Sequence, residues 1–183
     1  MILLYGYADE MIGERFGENK KSAESEAGRM LLATLLAENG IDATLDNIKR
    51  KENGKPYLDG CQGVDFNITH SKGLVACVLS VGEGAVGVDA EPTELAYSKE
   101  KQESLAERFF SDDERESLRA SKKSFSELWT KREACLKMTG EGFAAGIGKT
   151  LNGARCTTFR IDGYTVAVAT ESSVEIKIKA YNK

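Results

Sequence analysis

Val64-Asp65-Phe66-Asn67-Ile68-Thr69, Leu74-Val75-Ala76-Cys77-Val78-Leu79-Ser80-Val81 and Ala85-Val86-Gly87-Val88-Asp89-Ala90-Glu91 stand close together in the middle of the chain. Each run is short and rich in apolar or β-branched residues, which suits strands better than helices. Ser71-Lys72-Gly73 and Gly82-Glu83-Gly84 separate them and supply turn residues. The three runs predict an antiparallel meander.

Upstream, a helix is predicted over 22–39. Ser22 can cap it, Glu24 and Glu26 suit its positive end, Ala27, Met30, Leu31 and Leu35 form an apolar face, and Gly40 stops it. Residues 1–7 read as a first strand, because they lack the basic start and extended apolar stretch of a secretory leader. Asn53-Gly54 marks a turn. Downstream, Ser111-Asp112-Asp113-Glu114 and Ser124-Phe125-Ser126-Glu127 share the S-x-x-E form of a capping box, in which serine and glutamate satisfy the free donors of a helix start. They predict helices over 111–120 and 124–138, the second ended by Gly140 and Gly142. Residues 92–102 read as a loop. Residues 157–161, 164–170 and 174–179 read as strands, with Asp162-Gly163 as a hairpin turn.

Each half therefore runs strand or loop, helix, strand meander. That order predicts an α+β fold of two similar, pseudo-duplicated lobes, 1–88 and 89–183, with an active site at their interface. The repeat is one of pattern, without visible identity between the halves.

With 183 residues, 41% hydrophobic and 30% charged, the chain can bury a core. No apolar run is long enough for a membrane-spanning helix. A net charge of −4 argues against a general nucleic-acid binder, whose footprint is a basic face. Cys61, Cys77, Cys135 and Cys156 contain no C-x-x-C pair, which disfavours zinc and a disulfide framework and fits a reducing, cytoplasmic setting.

Three constellations carry chemistry. In Gly87-Val88-Asp89-Ala90-Glu91, side chains two apart on a strand share a face, so Asp89 and Glu91 would stand together. Adjacent carboxylates repel unless a cation neutralises them, and oxygen ligands with no nearby histidine suit Mg²⁺. A solvated strand face would carry the same pair. In Trp129-Thr130-Lys131-Arg132-Glu133-Ala134-Cys135-Leu136-Lys137, Glu133 and Lys137 share a helix face four apart. They form either a surface ion pair or a third metal ligand or base beside a phosphate-holding lysine. Phe66-Asn67-Ile68-Thr69-His70-Ser71 sets the single histidine at a strand end among donors suited to a phosphate, although a lone histidine is often structural or merely exposed. Arg50, Lys51 and Lys55 surround the Asn53-Gly54 turn, and Lys20-Lys21 lies at a helix start, where amide donors favour anions. Each of these cations is equally a solvated loop residue.

In this order and spacing, the blocks resemble the 4′-phosphopantetheinyl transferase superfamily, most closely its larger, single-chain, surfactin-synthetase-activating type. The family pattern is a GKP turn, F-N-x-S-H-S, G-[IV]-D-x-E and W-[ST]-x-K-E-[AS]-x-x-K. Here these stand as Gly54-Lys55-Pro56, Phe66 to Ser71, Gly87 to Glu91 and Trp129 to Lys137. Thr69 replaces the usual serine and keeps its hydroxyl. Arg132 replaces the usual lysine and keeps its charge but not the geometry of an ammonium.

The resemblance implies transfer of 4′-phosphopantetheine from coenzyme A to a serine of an acyl or peptidyl carrier protein, releasing 3′,5′-ADP. It implies Asp89, Glu91 and Glu133 as ligands of Mg²⁺ (or Mn²⁺), with Glu133 also the base. Lys137 would contact the pyrophosphate and His70 a phosphate. Arg50, Gly54, Lys55, Pro56, Asn67 and Thr69 join His70, Asp89, Glu133 and Lys137 as the coenzyme A site. Lys20, Lys21 and Arg15 are candidates for the 3′-phosphate. The carrier is expected to dock near residues 91–110, on Arg108, Arg115 and Arg119 with Phe109 or Phe110. Competing readings are a Mg²⁺-dependent phosphohydrolase acting on a coenzyme A-like substrate and an inactive carrier-protein or coenzyme A binding module. The complete set of Asp89, Glu91, Glu133 and Lys137 weighs against the second. No nucleic-acid or membrane partner is expected, and two internal lobes remove one reason to dimerise, so a monomer is expected.

Overall fold

The computed structural model describes residues 1–13, 19–140 and 153–182. Among them the chain runs β1 (Ile2–Tyr7), α1 (Ala8–Ile12), α2 (Lys20–Glu38), β2 (Ile48–Arg50), β3 (Pro56–Leu58), β4 (Val64–Ser71), β5 (Leu74–Val81), β6 (Val86–Pro92), α3 (Lys99–Phe109), α4 (Asp112–Arg119), α5 (Phe125–Thr139), β7 (Arg155–Ile161), β8 (Tyr164–Thr170) and β9 (Lys177–Ala180). The fold is mixed α+β. One sheet has the order β4-β5-β1-β9, a second β6-β8-β7, and β2-β3 form a separate hairpin.

Strand periodicity explains the layering. Leu74, Ala76 and Val78 of β5, with Leu3 of β1, meet Val86, Val88, Ala90, Val166 and Val168 of the second sheet in one core. The intervening residues Val75, Cys77 and Leu79, with Leu4, turn the other way onto Ala27, Leu31 and Leu35 of α2. Beyond the second sheet, Ala167 and Ala169 of β8 face Ala134, Cys135 and Met138 of α5. The layers are therefore α2, first sheet, second sheet, α5. β5 and β8 are covered on both faces, so they read as continuous apolar runs instead of an alternation. Each fully buried leucine or valine there contributes roughly 1.5–3 kcal/mol.

Several expectations are corrected. β6 does not complete a meander with β4 and β5; it pairs antiparallel with β8, from Val86↔Thr170 to Pro92↔Tyr164. Its apolar face belongs to the core between the sheets, which it reaches by crossing at the turn of Gly82 and Gly84, both at positive φ. β9, expected beside β8, instead pairs in parallel with β1, Ile2 opposite Lys177. α2 begins at Lys20, because Asn19 rather than Ser22 provides the cap, its side chain accepting from Ser22 N at 3.2 Å. The stretch read as a loop to 102 contains the start of α3, capped by Ser98. That helix is rich in Lys and Glu and buries only Ala106, so it lacks the apolar stripe that marks a helix in sequence.

The two capping sites lie where the S-x-x-E pattern puts them. At α4, Ser111 and Glu114 bond reciprocally. At α5, Ser124 accepts from Glu127 N, while the Glu127 carboxylate goes to Lys131. α5 ends at Gly140, whose φ of 75° is the left-handed conformation glycine tolerates best; the expected stop at Gly142 lies outside the described residues. All four cysteines are free thiols. Among the described residues no helix is long and apolar enough to cross a membrane.

Candidate active site

The site begins with a missing side chain. At Gly87 a Cβ would stand 2.1 Å from Ala134 O and 2.4 Å from Met138 N. Glycine therefore lets the backbone of α5 lie directly on β6. That approach sets Glu133 and Lys137, from the exposed side of the contact, beside the carboxylates of β6.

Asp89 is 5% exposed. Its Oδ1 accepts from Lys137 Nζ at 2.6 Å and from Thr69 Oγ1 at 3.3 Å. Its Oδ2 is buried and has no hydrogen-bond partner. Burial raises the Asp89 carboxyl above the usual range, with Lys137 opposing the shift. Burial and then the charge of Asp89 raise Glu91, which accepts from Ser71 Oγ at 3.1 Å. Glu133 is pushed up to about 7 by burial first, then by Asp89, with Glu91 adding to it and Lys137 partly offsetting it. Three carboxylates from two elements thus feel one another, in surroundings that disfavour their charge.

Among the described residues no three Asp, Glu, His or Cys side chains are already gathered as a metal cage. The donors nevertheless fit a hard divalent cation. They are oxygen ligands only, mutually repelling, and one of them has a buried oxygen left over. Lys137 stands in as the countercharge.

β4 meets β6 through side chains. Asp65 Oδ2 accepts from Val86 N at 2.8 Å and Asn67 Oδ1 from Val88 N at 3.0 Å, while Thr69 and Ser71 bond Asp89 and Glu91. Every second residue of β4 therefore serves this seam. Asn67, Thr69 and Ser71, read from sequence as phosphate donors, spend these bonds on β6. Lys55 also differs from expectation. It is 6% exposed, and its ammonium reaches Asp65 Oδ2 at 2.5 Å, Met138 O at 2.9 Å and Val86 O at 3.2 Å. Those three acceptors match its three protons. Lys55 joins β4, β6 and α5 at one point instead of offering a free charge.

A cleft of about 240 Å³ is lined by Gly54, Lys55, Pro56, Asn67, Glu133, Leu136, Lys137 and Gly140. The GKP turn, β4 and α5 therefore share one concavity. Arg50 Nη1 donates to Gly54 O at 2.8 Å and braces the turn. His70 lies outside the residues lining this cleft; its Nδ1 is 3.1 Å from Glu24 Oε2. Lys20 and Lys21 are exposed at the start of α2 and do not line it either. Arg15 lies outside the described residues.

Arg132 is explained by its partner. Its Nη2 pairs with Glu114 of α4, the same carboxylate that caps Ser111 N at 2.8 Å. It faces α4, so replacing a lysine there leaves the carboxylate group of the site untouched. Phe110 is buried against Phe125, which removes it from any docking surface. Phe109 packs edge-on against Trp129. Sequence reasoning missed Asp65 and Glu24. The polar period of two through Asp65, Asn67, Thr69 and Ser71 was the available signal for the first; nothing local marked Glu24.

A family model described as "4'-phosphopantetheinyl transferase superfamily" matches residues 85–180. The chain belongs to that superfamily. Among curated members, a 4′-phosphopantetheinyl transferase of Bacillus pumilus is 36% identical over 103 residues, 52% of this chain and 40% of that protein. One from Bacillus subtilis is 29% identical over 136 residues, 71% of this chain and 58% of its own length. A putative transferase of Synechocystis is 37% identical over 148 residues, 76% of this chain and 58% of that protein. The chain thus spans 40–58% of these superfamily members. The matched stretch of the superfamily model contains both β6 and α5, the two elements that bring the carboxylates together.

Proposed function

We propose that this chain transfers the 4′-phosphopantetheine arm of coenzyme A to a serine hydroxyl of an acyl or peptidyl carrier protein. The supporting observation is the meeting of Asp89, Glu133 and Lys137 where α5 crosses β6, in a superfamily whose named members are transferases of this kind. Asp89, Glu91 and Glu133 would hold Mg²⁺, with Mn²⁺ the other candidate; when bound, it offsets negative charge on the pyrophosphate. Lys137 orients that pyrophosphate, Lys55 and Pro56 line the adenine end, and the stretch from Asn67 to His70 forms the adjoining wall. Glu133 takes the proton of the serine hydroxyl, a task suited to a carboxyl poised near neutrality. The serine oxygen bonds the β-phosphorus, the bond to the α-phosphate oxygen breaks, and 3′,5′-ADP leaves. Positioning and charge neutralisation supply most of the rate.

We read the molecule further as two α+β halves, 1–88 and 89–183, with the site where they meet. The matching placement of α2 on the first sheet and α5 on the second supports this, with β9 returning to the first. The carrier would dock on α3 and α4, where Arg115 and Arg119 line a groove of about 590 Å³.

Incubation with coenzyme A, Mg²⁺ and an apo carrier protein tests the reading. A gain of roughly 340 Da on the carrier, the mass of the transferred arm, is expected. Asp89→Ala and Glu133→Ala should abolish that gain while remaining folded by circular dichroism. Free phosphopantetheine with an unmodified carrier would identify a hydrolase instead.

A further inference from the structure

Cys135 of α5 and Cys156 of β7 lie 21 residues apart in the chain, yet their sulfurs stand 2.8 Å apart. Cys135 is fully buried and packs with Ala134, Met138, Ala167 and Ala169, whereas Cys156 is half-buried at the rim of that cluster. The thiol protons can be placed. Cys156 Sγ donates to Lys131 O at 3.8 Å, so the proton between the two sulfurs comes from Cys135. That hydrogen bond from Cys135 holds the Cys156 thiol below its usual value; burial opposes it and Lys131 assists it. Glu114 and Arg132 also face Cys156, with opposite effects, as an ion pair. Cys156 is thus the sulfur that ionises more readily and that solvent reaches, with Cys135 enclosed behind it. Nothing in the proposed transfer uses either thiol.

We propose that Cys156 and Cys135 form a peroxide-reactive dithiol that closes into a reversible disulfide within the native packing. The Cys156 thiolate attacks one oxygen of hydrogen peroxide and the O–O bond breaks. With one proton taken up, the products are Cys156 sulfenic acid and water. The Cys135 sulfur then bonds the Cys156 sulfur, the S–O bond breaks, and the hydroxyl leaves as water with the Cys135 proton. Two thiols are oxidised and one peroxide is reduced to two waters. Bonded sulfurs are about 2.05 Å apart, so less than about 1 Å of approach is needed from side chains already in contact. In reducing surroundings disulfides are mostly transient and redox-sensing, which agrees with the free thiols seen here.

The test exposes the reduced protein to hydrogen peroxide, blocks the remaining thiols by alkylation and digests with trypsin. Trypsin cuts after Lys and Arg, so residues 133–137 joined to residues 156–160 are the expected product. Before alkylation the intact mass should fall by about 2 Da, and dithiothreitol should restore it. In Cys135→Ser the sulfenic acid has no partner, so dimedone should label Cys156. In Cys156→Ser, Cys135 should stay reduced under the same exposure. The oxidised protein should melt above the reduced one, because the new link restricts the unfolded chain.

Four thiols still reactive after exposure would overturn the proposal. So would a bond that involves Cys61 or Cys77, or one that joins two molecules. Dimedone on Cys61 instead of Cys156 in Cys135→Ser would overturn the order of attack. A lower melting temperature on oxidation would overturn closure within the native packing. The peptide map of the unaltered protein decides even where a variant fails to fold, and it is independent of the carrier assay.

Discussion

Single residues here are decided by what they lack as much as by what they touch. Lys55 is buried and has no proton to spare, so it behaves as a strut. Lys55→Met leaves Asp65 partly buried without its cation and should cost about 3 kcal/mol, read as a lower urea midpoint. Lys55→Met combined with Asp65→Leu should recover part of that loss. Glu133 makes the opposite case, a carboxyl raised to about 7 with no cation bound. The folded protein holds this proton longer than the unfolded chain does. Stability therefore falls as pH rises from the ordinary carboxylate value through about 7. Glu133→Gln does not titrate. Measured in a chelator, the unaltered protein should lose ground to that variant across this window. Sequence spacing alone paired Asp89 with Glu91 and Glu133 with Lys137, because strand and helix periods are local. It could not reveal the partners of Lys55 or His70, which come from other elements, for Lys55 from 10 to 83 residues away along the chain.

At the scale of elements, the contact between α5 and β6 governs the site. Gly87→Ala would push a methyl into the α5 backbone, which has no flexible end to yield. A destabilisation of about 1–3 kcal/mol is expected. Transfer activity should drop further than stability explains, because Glu133 and Lys137 move with the helix. Urea unfolding and the carrier mass assay on the same preparation separate the two effects. Helix starts were legible where a capping pair carried the signal, as at Ser111 and Glu114. α3 was not, since its buried face amounts to little more than Ala106. The run 85–91 was legible as a strand but not its partner, because the same residues suit a meander or a crossing into another sheet.

For the whole molecule, the two sheets and their covering helices place β5 and β8 at the centre. Both are buried on both faces, from Leu74 to Leu79 and from Val166 to Ala169. Native-state hydrogen exchange should find the slowest amides there, near the global unfolding free energy, and much faster exchange in β9, whose residues are all exposed. The α+β class followed from the alternation of strand runs and helix starts. The assignment of strands to sheets did not, because pairing β9 with β1 joins residues at opposite ends of the sequence.

The seam between β4 and β6 has an evolutionary corollary. The amides of Val86 and Val88 belong to the main chain, and no mutation can delete them short of proline. Drift at positions 65 and 67 is therefore confined to side chains that offer an oxygen at the same reach, while neighbouring apolar positions may trade among themselves. Natural variants should be almost frozen to Asp or Asn at these two sites, for a reason independent of any ligand.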